Sequence, residues 1–368
     1  MSDSSFRRTP NTVARARVSV FVVHQDLRVR NRIIAELENA DDLLVVGAVS
    51  TAGKAVAGCR DLRPDVLVLD DGAGPRNEGV DAIKEIMAVA PTRILILCRQ
   101  TQLDVGFDSS SALAAGAVDV LESQQGQESD RRFSERLLRA VRLVARVPIV
   151  TRHKNARLDR SVDALEASAP TSIRRDLMAL GGSTGGPAAV ADLLRALPPT
   201  FPLPILLVLH LGPSFGFGFA EWLSSVSKIP VVEATNGAAL RAGSVHVCPP
   251  DQHLILRGNT LFLTRDAERL SCRPSVDVLF ESVAESAGPR AIACLLTGIG
   301  RDGAEGLSLL RARGALTMAQ DEESSIVFGM PREAIARGAA IHVLPPSEMA
   351  LLATSAARIG RQSLRKRA

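Results

Sequence analysis

Short apolar segments alternate with helical segments along most of the chain, and this alternation constrains the fold more than any other feature. From Val18 an apolar run rich in β-branched residues and a helix-like run follow each other five times, and a second series of the same kind begins at Asp176. Such short strands, each followed by a helix, form parallel sheets that helices cover on both faces. The 368 residues therefore predict an α/β protein with two doubly wound parallel-sheet domains.

Changes in composition mark where the two domains begin and end. Residues 1–16 are polar and rich in arginine and serine, and residues 149–174 lose the alternation of strand and helix. These features are typical of a disordered end and of a linker. We expect the first domain to span 17–148 and the second to span 175–356, followed by a solvated basic tail at 357–368.

The second half of the chain also carries a hairpin signal and a signal for its last elements. Gly258-Asn259 separates two short apolar runs, and such a dipeptide predicts a β-hairpin. The segment PREAIARGA, residues 331–339, predicts a final short helix, and HVLP, residues 342–345, predicts a last strand.

Composition argues against several classes of function. Aromatic residues make up 3% of the chain and tyrosine is absent, which disfavours stacking on nucleic-acid bases. No apolar run approaches the roughly 20 residues of a membrane span, and no secretory signal precedes the first strand. The five cysteines form no C-x-x-C pair, so we expect reduced thiols in a cytoplasmic protein. We expect no cofactor, no metal site, no nucleic-acid partner and no insertion into a membrane.

The segment GGSTGGP, residues 181–187, lies between a predicted strand and a predicted helix. A phosphate-binding Walker loop needs a lysine that is absent here, and Ser183 replaces the middle glycine of a dinucleotide fingerprint. The segment does match G-x-S-x-G, in which a tight turn exposes a serine nucleophile at the carboxyl edge of a sheet. A plain glycine-rich turn without chemistry is the alternative.

A serine nucleophile needs a base and an acid that orients the base. His210 follows a predicted strand, and Asp302 lies in the glycine-flanked segment GIGRDG, so both belong at the carboxyl edge of the same sheet as Ser183. The chain order of α/β-hydrolases would instead pair Ser183 and Asp302 with His342. Spacing alone leaves both arrangements open, because triads occur in several chain orders.

Six blocks, in order along nearly the whole second domain, resemble the catalytic domain of the chemotaxis protein-glutamate methylesterases, the CheB family. The blocks are GGSTGGP, LHLGPSFGFGFAEWL, CPPDQHLIL, RPSVDVLFES, LLTGIGRDGAEGL and AQDEESSIVFGMPREAI. The resemblance places the family's nucleophile on Ser183, its histidine on His210 and its aspartate on Asp302. It also implies that the backbone N–H groups near Thr184 and Ile299 hold the oxyanion.

Residues 17–148 resemble the receiver domain of response regulators, with the phosphoacceptor position at Asp70. Four positions that receivers use for metal and phosphoryl chemistry carry other side chains here: His24, Gln25, Cys98 and Ser123. Phosphoryl transfer to a carboxylate needs Mg²⁺ and cationic charge neutralisation. The resemblance therefore implies a receiver fold without receiver chemistry, in which Asp26 offers the single alternative metal ligand through a loop shift.

The resemblance implies an enzyme that hydrolyses γ-glutamyl methyl esters on chemoreceptors and, as many relatives do, deamidates receptor glutamines. In the family the unphosphorylated receiver covers the active edge of the esterase. We expect the same here, with control by a protein that binds the receiver-like domain. Two alternatives stay open: a serine hydrolase or deamidase acting on a protein outside chemotaxis, and a non-catalytic interaction module that keeps the fold.

Overall fold

A computed structural model describes the chain at residues 17–72, 78–99, 109–123, 130–147, 173–211 and 218–365. The expectations for residues 1–16 and for most of the linker at 149–174 lie outside this part of the chain. Among the described helices, none combines the length and the apolar character that crossing a bilayer requires.

The first domain is a five-stranded parallel sheet with the strand order β2-β1-β3-β4-β5. Its strands are β1 (Val18–Val23), β2 (Leu43–Val49), β3 (Val66–Asp70), β4 (Arg93–Arg99) and β5 (Asp119–Ser123). Its helices are α1 (Leu27–Glu38), α2 (Ala52–Leu62), α3 (Glu78–Val89), α4 (Ser109–Ala115) and α5 (Asp130–Val144).

Side chains of the central strands alternate between two apolar cores, one on each face of this sheet. In β1, Phe21 and Val23 pack into the core beneath α2 and α3, whereas Val20 and Val22 pack into the core beneath α1 and α5. A strand segment that is buried on both faces must be apolar at every position, which explains the four consecutive apolar residues of Val20–Val23. The predicted doubly wound α/β architecture is confirmed for this domain.

The second domain is built around a seven-stranded sheet with the order β14-β13-β12-β6-β7-β9-β8. The strands of this domain are β6 (Leu177–Gly182), β7 (Ile205–Leu209), β8 (Val231–Glu233), β9 (Val245–Val247), β10 (His253–Arg257), β11 (Thr260–Thr264), β12 (Ala291–Leu295), β13 (Leu316–Gln320) and β14 (His342–Leu344). The helices are α6 (Gly186–Ala196), α7 (Phe219–Val226), α8 (Val276–Ser286), α9 (Ala304–Ala312), α10 (Met330–Ala336) and α11 (Pro346–Arg365).

All neighbouring strands of the seven-stranded sheet are parallel, and β6 lies between β12 and β7. The carboxyl ends of these three strands therefore meet at one edge, where open α/β sheets place their sites. The predicted hairpin is confirmed: β10 and β11 form a separate antiparallel pair in which Arg257 lies opposite Thr260.

The end of the chain differs from the prediction. The segment 331–339 does form most of a short helix, α10, but it is not the final one, because α11 continues from Pro346 to Arg365. The predicted domain end at residue 356 falls inside α11, and the first part of the expected basic tail is its last turns. Met349 and Leu352 of this helix are buried in the same apolar core as α6.

The two domains contact each other near the carboxyl edge of the larger sheet. Leu113 of α4 and Val120 of β5 pack against the apolar core of the second domain. The first domain therefore lies over the edge at which β6, β7 and β12 end.

Candidate active site

Ser183 lies directly after β6, on the turn that leads into α6. Its backbone N–H donates to the carbonyl of Thr297 at 2.9 Å, and its carbonyl accepts from Gly186 N–H at 2.7 Å. Gly185 has a φ of 78°, and a Cβ at that position would lie 2.5 Å from Cβ of Ile326. The turn therefore requires glycine both for its left-handed backbone and for space.

Gly298, on the loop after β12, contacts the predicted nucleophile directly. A Cβ on Gly298 would lie 2.7 Å from Cβ of Ser183 and 2.2 Å from the sulfur of Met330. Thr297, the preceding residue, donates from its hydroxyl to the carbonyl of Thr184 at 3.0 Å. These contacts hold the Ser183 turn against the loop that follows β12. The sequence LLTGIG did not indicate that Gly298 and Thr297 have this role.

His210 and Asp302 form a short hydrogen bond at the same edge of the sheet. His210 follows β7 and Asp302 precedes α9, and His210 Nε2 lies 2.7 Å from Asp302 Oδ2. The side chain of His210 is 16% exposed and that of Asp302 is 2% exposed. Because an ionised carboxylate only accepts, Nε2 carries a proton, and in the neutral ring the lone pair is on Nδ1. This is the reverse of the common triad, in which Nδ1 faces the acid.

The amino terminus of α8 anchors the carboxylate of Asp302. Asp302 accepts from the Ser275 hydroxyl at 2.7 Å, from Val276 N–H at 2.6 Å and from Asp277 N–H at 3.1 Å. Burial alone would raise the pKa of Asp302, but hydrogen bonds and the charge of His210 outweigh it and hold the pKa below its usual value. The positive end of the helix dipole favours the same ionised form.

Asp277 is a second buried carboxyl group beside Asp302. Its Oδ1 accepts from Gly306 N–H at the start of α9 at 2.7 Å. Burial, together with the neighbouring Asp302 charge, raises the pKa of Asp277 to about 6. The pKa values of the two carboxyl groups therefore differ in direction, and Asp302 is the group that stays ionised beside His210.

Cys272 lies against the other ring edge of His210. Its Sγ is 3.8 Å from Nδ1 of His210. Burial lowers the pKa of His210, but Asp302 and Cys272 both favour the imidazolium, and together they raise the pKa to about 9. The protonated ring therefore predominates at neutral pH, and the base form increases as the pH rises.

Ser183 and His210 line one cleft of about 140 Å³, and residues of both domains form its walls. The second domain also contributes Thr184, and the first contributes Asp119, Val120 and Arg136. Within the described part of the chain, no hydrogen bond joins Ser183 to His210. Bonds of this kind commonly tighten only when a substrate is bound.

The two predicted oxyanion donors lie on the two loops that meet at Ser183. Thr184 follows the serine, and Ile299 follows Gly298, which packs against it. Among the described residues, neither backbone N–H donates to a protein acceptor.

Asp119 connects the first domain to this cleft. Its Oδ1 accepts from Val120 N–H at 2.9 Å, and its carboxyl group also accepts from the Thr184 hydroxyl. Burial between the two domains raises the pKa of Asp119 to about 6, although these hydrogen bonds oppose the rise. Nothing in the sequence pattern marked this residue.

The alternative base, His342, lies far from Ser183. It is the first residue of β14, at the edge of the sheet, and it pairs in register with Met318 of β13. Two strands, β13 and β12, separate β14 from β6, whereas the strands that precede Ser183, His210 and Asp302 are direct neighbours in the sheet. The structure therefore brings His210, and not His342, to the cleft.

The phosphoacceptor position of the first domain has a different environment. Asp70, the last residue of β3, is 1% exposed, and its Oδ1 lies 3.4 Å from Nε2 of His24. Nδ1 of His24 accepts from Asp26 N–H at 3.1 Å. The carboxylate of Asp26 caps α1 by accepting from the N–H groups of Arg28 and Val29. An imidazole thus faces Asp70, and Asp26 is engaged at the helix. The side chain of Ser123 is outside the described set.

Comparisons with known proteins agree on one family. The model of the CheB methylesterase family matches residues 178–352. A protein-glutamate methylesterase/protein-glutamine glutaminase of Anaeromyxobacter dehalogenans is 38% identical over 89% of this chain and 94% of its own length. One from Geobacter metallireducens is 35% identical over 92% of this chain and 99% of its own length.

Two solved structures match one domain each. The CheB methylesterase catalytic domain of Thermotoga maritima is 34% identical and covers 49% of this chain and 98% of its own, with a TM-score of 0.47. The response regulator domain of Thermotoga maritima CheB is 29% identical and covers 36% of this chain and 98% of its own, with a TM-score of 0.32.

Proposed function

This chain belongs to the CheB methylesterase family, and we propose that Ser183, His210 and Asp302 hydrolyse γ-glutamyl methyl esters on chemoreceptors. The observation that carries this assignment is the 2.7 Å contact of His210 with Asp302 beside Ser183 in one cleft. A module that only bound partners would have no need of an anchored acid, a base and a partly exposed serine at the ends of three adjacent strands.

In the first half of the reaction, Ser183 attacks the ester carbonyl. Nδ1 of His210 takes the hydroxyl proton and returns it to the departing methanol. Asp302 keeps the proton on Nε2 and stabilises the imidazolium that forms. The result is an acyl-enzyme in which the glutamyl group of the substrate is bound to Ser183.

The backbone donors near Thr184 and Ile299 stabilise the oxyanion of the tetrahedral intermediates. A backbone N–H group that its loop already holds in place can stabilise developing negative charge without reorganising during the reaction. In the second half, His210 activates a water molecule that releases the glutamate carboxylate. Deamidation of a receptor glutamine follows the same steps, with ammonia leaving in place of methanol.

The receiver-like domain restrains the enzyme by covering the cleft. Asp119, Val120 and Arg136 occupy one wall of it, where a receptor helix would have to approach. Asp70 faces His24, and the positions of the Mg²⁺-binding acidic pair carry His24 and Gln25, so phosphorylation does not relieve the restraint. Instead, a protein that binds the receiver-like domain displaces it and so relieves the restraint. The enzyme acts in the cytoplasm, on the cytoplasmic part of the receptor.

The decisive experiment incubates the full-length protein with receptor membranes that carry labelled methyl esters. We expect release of labelled methanol, and its loss in Ser183→Ala. Ser225→Ala, a change at a surface serine of α7, is the matched control and should keep the rate. If methanol is not released but the protein deamidates or hydrolyses another protein, the assignment to chemoreceptors is wrong although the triad stands.

The covering is tested by removing it. The second domain has apolar cores of its own on both faces of its sheet, so deletion of residues 1–148 should leave it folded and raise methanol release. Asp70→Ala should leave the full-length rate unchanged. A slower truncated enzyme with an unchanged melting temperature would contradict the proposed restraint.

A further inference from the structure

Cys272 lies beside His210, but its thiol takes part in no step of the proposed hydrolysis. Sγ of Cys272 lies 3.8 Å from Nδ1 of His210, and one donor atom each from Cys272, His210 and Asp302 lie within 4.8 Å of one another. Thiolate and imidazole are the ligands that Zn²⁺ prefers.

The separation of the two donor atoms fits one bound zinc ion. With Zn–N and Zn–S bonds of about 2.05 and 2.3 Å, an N···S distance of 3.8 Å corresponds to an N–Zn–S angle of roughly 120°. That angle lies near the tetrahedral value, so neither side chain has to move. The remaining positions of the ion would be filled by water.

Both ligands are already held in place. Cys272 closes a tight turn in which its N–H donates to the carbonyl of Arg269 at 2.9 Å and its carbonyl accepts from Arg269 N–H at 3.1 Å. His210 donates from Nε2 to Asp302, which is the carboxylate–histidine–metal arrangement typical of protein zinc sites. Cys272 is partly exposed, so an ion can reach it from solvent.

We propose that Zn²⁺ binds between Nδ1 of His210 and Sγ of Cys272 and reversibly inhibits the enzyme. Binding at neutral pH replaces the thiol proton of Cys272 and the Nδ1 proton of the imidazolium with Zn–S and Zn–N bonds, and both protons are released to solvent. It also takes the lone pair of Nδ1, so His210 can no longer accept the proton of Ser183. The inhibition rests on the proposed role of His210 as the base, whereas the binding itself does not.

The test uses the full-length protein after treatment with a chelator. Calorimetry in two buffers of different ionisation enthalpy measures the zinc affinity and the released protons, and Co²⁺ serves as a spectroscopic probe for a thiolate ligand. We expect Cys272→Ser to abolish the thiolate-to-cobalt absorption and to weaken zinc binding at least about tenfold. Cys98→Ser, at a buried cysteine of the other domain, is the matched control and should bind as the wild type does.

Activity gives the second readout, with each variant compared with its own metal-free rate. Zinc should inhibit the wild type and Cys98→Ser alike, an added chelator should restore both, and Cys272→Ser should need at least about tenfold more zinc. Equal zinc affinity in Cys272→Ser and the wild type would overturn the proposal. If metal-free protein releases no methanol but Cys272-dependent cobalt absorption is present, the site stands and the proposed function fails.

Discussion

Each domain places a histidine next to a buried aspartate at the carboxyl edge of a parallel sheet, but the two pairs are built differently. In the first domain His24 Nε2 lies 3.4 Å from Asp70, and in the second His210 Nε2 lies 2.7 Å from Asp302. The His24 side chain is 6% exposed, whereas the His210 side chain is 16% exposed and opens onto the cleft.

The main difference lies in what surrounds each pair. Asp302 receives three hydrogen bonds from the start of α8, which fix the carboxylate and keep it ionised. The second nitrogen of His24 is occupied by Asp26 N–H, while Nδ1 of His210 contacts Cys272 Sγ in a ring that lines the same cleft as Ser183. The two pairs thus differ in how the acid is anchored and in what the second nitrogen of the histidine contacts.

The largest difference between the two pairs is expected when each histidine is removed in turn. Because the base is lost, His210→Ala should lower kcat for methanol release by at least about 10⁴-fold. His24→Ala removes a histidine that contacts no substrate, and we expect its rate to stay within about threefold of the wild type, as typical for sites away from the reacting atoms. A mild His210→Ala, or a comparable loss in His342→Ala, would contradict the assigned base.

Replacing each aspartate with asparagine should also affect the two pairs differently, but with a smaller difference in rate. Asp302→Asn keeps the shape but no longer selects the Nε2–H tautomer, and we expect a loss of about 10³- to 10⁴-fold. Asp70→Asn should leave the rate unchanged, and acetyl phosphate with Mg²⁺ should not label Asp70 in the wild type. Mg²⁺-dependent phosphorylation of Asp70 with faster ester hydrolysis would show that the first pair is functional after all.

The pH dependence of kcat/KM reports the environment of His210. Because Asp302 and Cys272 raise its pKa to about 9 against the effect of burial, the base form is lost as the pH falls through that value. Activity should therefore increase from neutral to alkaline pH, with an acid limb well above the usual histidine range. Cys272→Ser removes one of the two stabilising partners and should move this limb to lower pH, while Cys98→Ser should not move it.

The smallest effect is expected at the contact between the domains. The pKa of Asp119 is raised to about 6 in the covered state, so its protonated form favours covering, and covering weakens as the pH rises through that value. Asp119→Asn stays neutral and should lower methanol release several-fold at alkaline pH. Asp41→Asn, at an exposed carboxylate of the same domain, should not. An unchanged rate in Asp119→Asn would show that Asp119 does not contribute to the covering of the cleft by the first domain.

Strand and helix alternation was sufficient to predict both sheets, because central parallel strands must be apolar on both faces. Ser183 was also predictable, since G-x-S-x-G between a strand and a helix describes a local turn. The choice between His210 and His342 was not settled by spacing, because it depends on which strands lie next to β6 in the sheet. The family resemblance favoured His210, and the strand order gives the physical reason.

Other residues depend on contacts between distant segments and had no local signal. Gly298, Cys272 and Ser275 matter only because their loops meet Ser183, His210 and Asp302 in space. The final helix α11 was not predicted, although its buried residues Met349 and Leu352 have helical spacing. The sequence suggested Asp26 as an alternative metal ligand. Its role as the cap of α1 depends on the backbone N–H groups of Arg28 and Val29, which the sequence pattern did not indicate.

The central place of β6 also determines when this enzyme can first act during its synthesis. The strand that carries Ser183 pairs with β12 through Leu177 and Ala291, and the acid follows β12. A ribosome therefore releases the serine and its turn long before the strand that completes their surroundings has left the exit tunnel. Nascent chains should remain inert until Asp302 and α9 have emerged, at which point the first domain is already synthesised and able to cover the new cleft.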